Sequence, residues 1–389
     1  MTTVREHVAD SAADLVALSH AIHAEPELGF AEHKASAKLA DYLRQHDFSV
    51  TTGVADLPTA FRAERVFGTG GPTVAVFCEY DALPGIGHAC GHNIIGSAGA
   101  GAAVAAARWL AEHDGNGRLV VFGSPAEEGG GGKVRLIDDG QLSGVDAAVM
   151  VHPAGFDAVS RTNLGRVSLQ ATFTGRASHA AAAPELGRNA LDAATLLLVA
   201  IGLLRQQLRS DSRVHANVLD GGDAINVIPE HSRVALFIRS TDNGYLRGRL
   251  YEAVRDCVLG AALATGTTSE LTEVAVAYQP VRTNPVLADL AARAFADIGR
   301  PIEPETGTSG SAGSTDMGNV SQVVPAIHPY VRVAPDLAIH TREFAAAAGT
   351  EQGDSAVLAG ATMLASVVTE LFARPSLVAE ARAAFEEQA

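Results

Sequence analysis

The hydrophobic and polar positions in the first part of the chain follow two different periods. Apolar residues recur three or four positions apart over 4–23, which predicts a helix that ends before Pro26, and a second helix is predicted over 32–46. Short β-branched and apolar runs predict strands at 48–51, 73–78, 119–123 and 147–151. Strands separated by helices in this way are typical of an α/β domain with a mostly parallel sheet covered on both faces.

Beyond Gly165 the pattern changes. Residues 166–174 alternate apolar and polar side chains, as a half-exposed antiparallel strand does. The next segments predict a helix, two strands, a helix and a strand, at 189–209, 213–219, 233–239, 244–264 and 270–277. This β-α-β-β-α-β order predicts a ferredoxin-like α+β insert. The remaining chain predicts a helix, a structured glycine- and serine-rich loop and a strand, at 286–298, 307–319 and 323–327, and then a long carboxyl-terminal helix.

The composition fits two folded domains and argues against a nucleic-acid partner. The chain has 389 residues, of which 47% are hydrophobic and 19% are charged, so it can bury a sizeable core. Its net charge of -15 repels the phosphate backbone of nucleic acids. Nucleic acid is therefore a poor candidate partner.

The cysteine count and the apolar stretches predict a cytoplasmic protein with no membrane partner. Three cysteines are an odd, low number, which predicts no disulfide framework and a reducing compartment. The first residues lack the basic flank and apolar run of a secretory signal. The apolar stretches at 94–107 and 193–204 are shorter than the about 20 residues of a membrane span. Both are predicted to be packed helices.

The first chemical motif contains Cys90 and His92, which stand two positions apart in GHACGHN. It lies between the strand that ends at Cys78 and a helix that starts at Ile94. A thiolate and an imidazole are both zinc ligands, and the positive end of a helix stabilises the thiolate. Taken alone, the motif favours the alternative of a buried cysteine in a glycine-rich turn.

The second motif is the adjacent pair Glu127 and Glu128, which follows the strand at 119–123. Neighbouring carboxylates repel each other unless a cation or a proton is shared between them. One metal ligand and one general base is therefore a natural division of roles. A solvated acidic loop is the alternative, although the four glycines that follow leave unusual space beside the carboxylates.

Two further histidines complete a potential metal site. His152 directly follows the strand at 147–151, and His340 lies far along the chain. A single histidine usually has a structural role. Chemical groups at three successive strand ends favour a common site, because ligands of such sheets bind beyond the carboxyl ends of the strands. His340 would have to return to the same edge of the sheet.

Several separated motifs give the chain a resemblance to the peptidase M20 family. They are, in order, CEYDALPGIGHACGHN, PAEEGGGGK, HP, GRASHAAAAPELGRNALDA, GDAINVIPE, STDMGNVSQVVPAIHPY and AIHTREF. Within the family the chain is similar to the aminoacylase-1-like branch, with auxin-conjugate and aminobenzoyl-glutamate hydrolases as cousins. The resemblance implies a zinc-peptidase-like catalytic domain at 1–164 and 281–389. It also implies a lid and dimerisation domain at 165–280, and hence a homodimer.

The resemblance implies roles for the motif residues of the catalytic domain. The metal ligands would be Cys90, His92, Glu128, His152 and His340. Glu127 would be the general base that takes a proton from the hydrolytic water. Asp81 would orient one of the metal-binding side chains.

The resemblance also implies substrate-binding residues outside the metal site. His179 in the lid would stabilise the oxyanion, often across a dimer. Asn226 and Arg239 would hold the carbonyl or the carboxylate of the substrate, with a turn asparagine and a surface arginine as the alternatives. The glycine- and serine-rich loop would line the pocket through Ser314, Thr315 and Asp316.

The sequence departs from the wider family pattern beside the metal. The usual His-x-Asp ligand pair is replaced by EYD at 79–81, and Cys90 and His92 stand near the place of a bridging Asp. Auxin-conjugate cousins have Asp where this chain has Asn93. One or two ions per subunit are both compatible with this set. The thiolate favours Zn²⁺, with Mn²⁺ or Co²⁺ as alternatives.

The function predicted from the resemblance is metal-dependent hydrolysis of an amide bond, in an N-acyl amino acid or a dipeptide-like substrate with a free carboxylate. Two functions of other classes are the alternatives. A cysteine hydrolase would use Cys90 as its nucleophile, but His92 is too close in sequence to serve well as its base. A non-catalytic metal-binding protein on the same fold would have no need of Glu127.

Overall fold

The computed structural model describes residues 2–302 and 313–388. Their contacts divide the chain into two compact units. Within the described residues, the first unit comprises 2–161, 281–302 and 316–388, and the second comprises 162–280 and 313–315. The predicted loop at 307–319 lies partly outside the described residues.

The order of elements is an alternation of strands and helices with an insert between β6 and α9. The strands are β1 (Ser49–Thr52), β2 (Phe61–Phe67), β3 (Thr73–Cys78), β4 (Gly117–Gly123), β5 (Ala147–Val149), β6 (His152–Ala154), β7 (Gly165–Thr174), β8 (Arg213–Asp220), β9 (His231–Ser240), β10 (Thr268–Glu273), β11 (Ala326–Ile327) and β12 (Tyr330–Arg332). The helices are α1 (Val4–Asp10), α2 (Ala12–His23), α3 (His33–Gln45), α4 (His92–Glu112), α5 (Gly132–Asp138), α6 (Ala190–Leu204), α7 (Asn243–Tyr245), α8 (Tyr251–Thr265), α9 (Pro285–Asp297), α10 (Met317–Val323), α11 (Arg342–Ala347), α12 (Glu351–Ala373) and α13 (Pro375–Glu387).

The first unit is built on a six-stranded sheet in the order β1-β2-β4-β3-β5-β11. Strands β4, β3, β5 and β11 run parallel to one another, and β2 and β1 add an antiparallel edge. The central strands are buried on both faces, as their continuous apolar sequences predict. The prediction of an α/β domain with a mostly parallel sheet is confirmed.

Helix α4 packs so closely on this sheet and on helix α2 that two of its positions require glycine. A Cβ at Gly99 would lie 2.7 Å from the sulfur of Cys78, and one at Gly101 would lie 2.7 Å from the Leu15 side chain. Both distances are shorter than van der Waals contact. The close fit fixes the first residue of α4, His92, beside the carboxyl end of β3.

Three helical segments have the length and the apolar composition of a membrane span, namely His92–Glu112, Ala190–Gln207 and Glu351–Ala373. In the first and the third, 83% and 72% of the apolar window is buried inside the structure. The middle segment buries only 28% of its window. A buried helix at 94–107 was therefore predicted correctly, whereas the helix at 193–204 exposes an apolar face.

Several predicted elements differ from the observed ones. The helix predicted over 4–23 is interrupted at the buried Ser11. The strand predicted over 323–327 is shorter, because Val323 is the last residue of helix α10. Met317 and Val320 of this helix pack against the core beside α5. Strand β2 was not predicted, since charged residues between its apolar positions obscure the alternation.

The second unit is a four-stranded antiparallel sheet in the order β10-β7-β9-β8. Helices α6 and α8 cover one face, where Val167, Leu169 and Leu236 are buried. The opposite face carries the alternate, more polar residues of each strand. The β-α-β-β-α-β order is the one predicted from the sequence.

Candidate metal centre and catalytic site

The groups that follow β3 and β4 meet the starts of α4 and β6 at one edge of the six-stranded sheet. His340 is held at the same edge, where its backbone N–H donates a hydrogen bond of 2.8 Å to the Ala89 carbonyl. The predicted residues that the structure brings together here are Asp81, Cys90, His92, Glu127, Glu128, His152 and His340. The side chains that follow the strand ends therefore lie close together at this edge of the sheet, where ligands of such sheets bind.

Three groups of side chains bring their ligand atoms close together. One of them, formed by Glu79, His92 and Glu127, lacks Cys90, and the other two share it. The atoms of Cys90, His92 and His152 lie within 4.8 Å of one another, and so do those of Cys90, Glu128 and His340. The Cys90 sulfur is 3.4 Å from His152 Nε2, and His340 Nε2 is 3.3 Å from Glu128 Oε1. Because Cys90 belongs to both groups, its sulfur lies where one thiolate could bridge two ions.

The turn before α4 determines how Cys90 and His92 face the same point. Gly91 between them has a φ of 72°, and a Cβ there would lie 2.6 Å from Pro153 Cγ. Only glycine adopts this conformation without strain and also fits this space. His340 has a φ of 63° as well, which is unusual for a residue with a side chain.

Hydrogen bonds orient two of the imidazole rings. His92 Nδ1 donates to Asp81 Oδ1 over 2.9 Å, and His152 Nδ1 donates to the Pro153 carbonyl over 2.7 Å. In both rings this leaves Nε2 for a metal ion, as in many metal sites with such supporting groups. Burial lowers the pKa of His152 to about 4, so its ring is neutral, which is the form that binds metal.

The donor set fits a divalent metal ion. His92 Nε2 is buried and has no hydrogen-bond partner in the described residues, and it lies 3.9 Å from Glu128 Oε1. Leaving such atoms unpaired is costly unless something else binds them. Burial also raises the pKa of the Cys90 thiol well above its ordinary value. An ion would therefore displace a proton when it binds the sulfur.

Glu127 lies beside these groups and is supported by a residue that the sequence did not reveal. Its neighbour Ala126 has a φ of 56°, and the Ala126 N–H donates to Glu32 Oε1 over 2.8 Å. Glu32 is completely buried, and its other oxygen accepts a hydrogen bond of 3.0 Å from the Thr59 hydroxyl. The Glu32 carboxylate thus fixes the strained peptide that positions Glu127. In the sequence, Glu32 looks like an ordinary acidic residue at the start of a helix, so this role was not predicted.

A buried lysine behind the site was also missed. Lys133 Nζ pairs with Glu79 and lies 2.6 Å from Asp316 Oδ1, and all three side chains are inaccessible to solvent. Asp316, predicted to line the pocket, is instead part of this ionic cluster. The ammonium group offsets the repulsion between the two carboxylates. Burial, followed by the nearby Glu79, Asp316 and Glu128, raises the pKa of Glu127 well above its ordinary value.

The predicted lid residues belong to the second unit. The Ala181 and Ala182 N–H groups each donate to His179 Nδ1 over 3.2 Å, and the Ala180 N–H donates to the Asn226 carbonyl over 2.9 Å. His179 and Asn226 are therefore neighbours. Arg239 lies near the carboxyl end of β9, away from them. Ser314 and Thr315, the remaining predicted pocket residues, are grouped with the second unit.

Comparisons with known proteins relate this chain to a peptidase family and to two hydrolases. The family model of peptidase family M20/M25/M40 matches residues 75–370. The chain is 37% identical over 393 residues to the Xaa-Arg dipeptidase of Mus musculus, with 98% of this chain and 91% of that protein covered. It is 36% identical over 279 residues to one of the p-aminobenzoyl-glutamate hydrolase chains of Escherichia coli K12, with 66% of this chain and 57% of that protein covered.

A solved structure supports the same relationship at the level of the fold. A dinuclear metal-binding peptidase of the M20 family from Bacillus subtilis superposes with a TM-score of 0.71 at 20% identity, over 93% of this chain and 99% of that chain. The matched segment of the family model includes the predicted metal ligands from Cys90 to His340. The chain belongs to peptidase family M20/M25/M40 and is a metal-dependent hydrolase of amide bonds.

Proposed function

We propose that the protein hydrolyses the amide bond of a dipeptide or an N-acyl amino acid with a free carboxylate, at a centre of two divalent ions. The observation that carries the proposal is the position of Cys90 in both ligand groups, directly beside Glu127 and Glu128. The names of the two relatives describe a dipeptide and an acyl-glutamate as substrates. Both contain an amide bond to an amino acid.

His92 and His152 would hold one ion, Glu128 and His340 would hold the other, and Cys90 would bridge them. We propose Zn²⁺, because thiolate and imidazole ligands suit it well, with Mn²⁺ or Co²⁺ as alternatives. When bound, the ions lower the pKa of the hydrolytic water and polarise the amide carbonyl.

The side chains of the protein would carry the proton and hold the substrate. Glu127 would take a proton from the water and deliver it to the leaving amine. Glu32, through the Ala126 peptide, would keep that carboxylate in place. Arg239 would bind the substrate carboxylate, and His179 would stabilise the oxyanion.

Arg239 and His179 support a homodimer because one chain cannot bring both to the same small substrate. Strand β9 pairs with β7 from Arg239 at one end to His231 at the other, and His179 pairs with Val227 beyond that second end. Eight strand residues at about 3.3 Å each separate the two ends by roughly 26 Å. An extended dipeptide spans only about 7 Å. We therefore propose that His179 acts on the substrate held by a partner chain.

An exposed apolar face in the second unit fits the same proposal. On α6, Leu196, Val199 and Leu203 lie on one side of the helix and are 40%, 54% and 60% exposed. Strand β8, which contacts α6, is an edge of its sheet. Apolar side chains next to an open strand edge are typical of an interface between subunits.

The free cysteines and the absence of a disulfide among the described residues support a reducing, cytoplasmic location.

Mixing two inactive variants should restore activity if His179 acts across the dimer. The proposed active site combines Glu127 of one chain with His179 of the partner chain. His179→Ala and Glu127→Gln each lack one of these two side chains, so each homodimer should be inactive. After subunit exchange, a heterodimer has one site with both native residues, and about a quarter of wild-type activity should return in an equal mixture with random pairing. The measurement is turnover before and after exchange.

The control for this experiment is a monomeric variant. Leu196→Glu together with Leu203→Glu should give a monomer by light scattering, with little activity and with both ions retained. No recovery in the mixture, or full activity in the monomer, would exclude the proposed arrangement.

The substrate class is tested by a panel of N-acyl amino acids and dipeptides analysed by mass spectrometry. The protein is assayed as purified, after chelation, and after addition of Zn²⁺ or Mn²⁺. We expect turnover that is lost with the chelator and returns with one metal. Turnover that persists in metal-free protein would contradict the proposal and favour a cysteine hydrolase.

A further inference from the structure

Two arginines stand directly opposite each other on the polar face of the second-unit sheet. Arg166 on β7 is the register partner of Arg239 on β9 in an antiparallel pair. Side chains in such positions share a face, with Cβ atoms about 5 Å apart, and like charges there destabilise the sheet. Burial and the nearby Arg166 lower the pKa of Arg239, which reflects the same unfavourable environment.

The described part of the chain provides no counter-ion for this pair. Within residues 2–302 and 313–388, no ion pair joins Arg166 or Arg239 to a carboxylate, although acidic residues outnumber basic ones by 15. The Nε atoms of both guanidinium groups are buried and have no acceptor within those residues. Buried charged donors without acceptors are rare in native structures unless a ligand binds them.

Aromatic rings hold the two guanidinium groups instead of carboxylates. The Cζ atoms of Arg166 and Arg239 lie 5.5 Å and 5.4 Å from the centroid of the Phe237 ring. Arg166 Cζ also lies 4.2 Å from the centroid of the buried Tyr278 ring. Stacking on a ring fixes the plane of a guanidinium group and leaves its N–H edges available. Phe237 remains 41% exposed, so the pair is open on one side.

We propose that Arg166 and Arg239 together bind a dicarboxylate, and that the amino acid released by hydrolysis is acidic, like glutamate or aspartate. One guanidinium binds the α-carboxylate and the other binds the side-chain carboxylate, each through two hydrogen bonds. Two carboxylates neutralise both arginines, whereas a single carboxylate leaves one positive charge uncompensated. The inference rests on the proposed function, in which Arg239 binds the substrate carboxylate.

The same pair should reject a cationic amino acid. An arginine or lysine side chain in the position of the second carboxylate would face Arg166 and be repelled by it. The preference proposed for this chain therefore differs from the one that the name of the Xaa-Arg dipeptidase describes.

The test compares substrates with one acyl group and with glutamate, glutamine or arginine as the amino acid. Wild-type kcat/KM should be roughly 10- to 100-fold higher for glutamate than for glutamine, the difference expected for charge-assisted hydrogen bonds. It should be lowest for arginine. In Arg166→Met the preference for glutamate over glutamine should disappear, mainly through a higher KM for the glutamate substrate.

Arg213→Met is the matched control. Arg213 is the register partner of Arg239 on the other side, but its guanidinium donates 2.7 Å hydrogen bonds to the Ser210 and Ser212 carbonyls. This variant should keep the glutamate preference. Thermal unfolding checks that both variants fold, and Arg166→Met should not lower Tm, because it removes a repulsive pair.

A binding measurement separates failure of this inference from failure of the proposed function. Calorimetric titration should show that wild-type protein binds L-glutamate more tightly than L-glutamine, and that Arg166→Met does not discriminate between them. If no substrate is hydrolysed, the proposed function fails while the titration still tests the arginine pair. Equal binding of the two amino acids, an unchanged preference in Arg166→Met, or faster hydrolysis of the arginine substrate would overturn the inference.

Discussion

Replacing Glu127 by glutamine should lower kcat by roughly 10²- to 10⁴-fold, the range that general-base catalysis contributes. Glutamine preserves the size of the side chain but cannot accept a proton from water. Glu127 shares its group with Glu79 and His92 and not with Cys90. It is not among the five ligands proposed to hold the ions, so both ions should remain bound. KM should change little, because the substrate would be held by other residues. Steady-state kinetics and metal analysis by mass spectrometry measure these two effects separately.

Glu128→Gln is the matched control, since the two residues are adjacent and differ in their expected roles. Glu128 Oε1 faces His340 and His92, so this variant should lose metal as well as activity. A Glu127→Gln protein that keeps more than a tenth of its activity would exclude Glu127 as the general base. A Glu127→Gln protein that loses metal would assign it a ligand role instead.

Replacing Cys90 by alanine should remove metal from both sites at once. The Cys90 sulfur is the atom shared by the two ligand groups, so its loss leaves each ion with two of its three ligands. We expect the bound metal to fall from two ions per chain to less than one, and activity to fall more than 100-fold, beyond the effect of losing a supporting residue. The measurement is metal content after dialysis against a weak chelator.

Cys257→Ala is the control for the Cys90 variant. Cys257 is a partly exposed residue of the second unit, outside both ligand groups, and its loss should change neither metal content nor activity. The cysteine-hydrolase alternative differs in its response to chelation, because Cys90 and His152 would then act as nucleophile and base at their distance of 3.4 Å. In that case Cys90→Ala would lose activity, and chelation of the wild-type protein would have no effect.

The positions of the metal-binding groups could be predicted because they follow strand ends. Strands of parallel sheets are recognisable as short apolar runs, and their carboxyl ends lie at one edge. The side chains after those runs include Cys90, His92, Glu128 and His152, and the structure brings them within hydrogen-bonding or metal-binding distance. His340 could be assigned only from the motif resemblance, because no nearby strand placed it.

The residues that sequence reasoning missed are those whose role depends on a distant partner. Lys133 is separated by 54 residues from Glu79 and by 183 residues from Asp316. Glu32 is separated by 94 residues from the peptide of Ala126. Local patterns report periodicity within about one element, so they contain no information on such pairs. A buried charge also resembles a surface charge in sequence, because its hydrophobic surroundings come from other segments.

The sequence by itself determined the two kinds of sheet, the β-α-β-β-α-β insert and the chemical types of the metal ligands, because each depends on residues close together in the chain. The tertiary structure alone decided that Cys90 lies in both ligand groups, that Arg166 faces Arg239, and that His179 is distant from Arg239. The relative positions of these residues depend on strand register and on how segments that are remote in the sequence return to one edge of a sheet. Both are set by packing of the whole core, which no local pattern specifies.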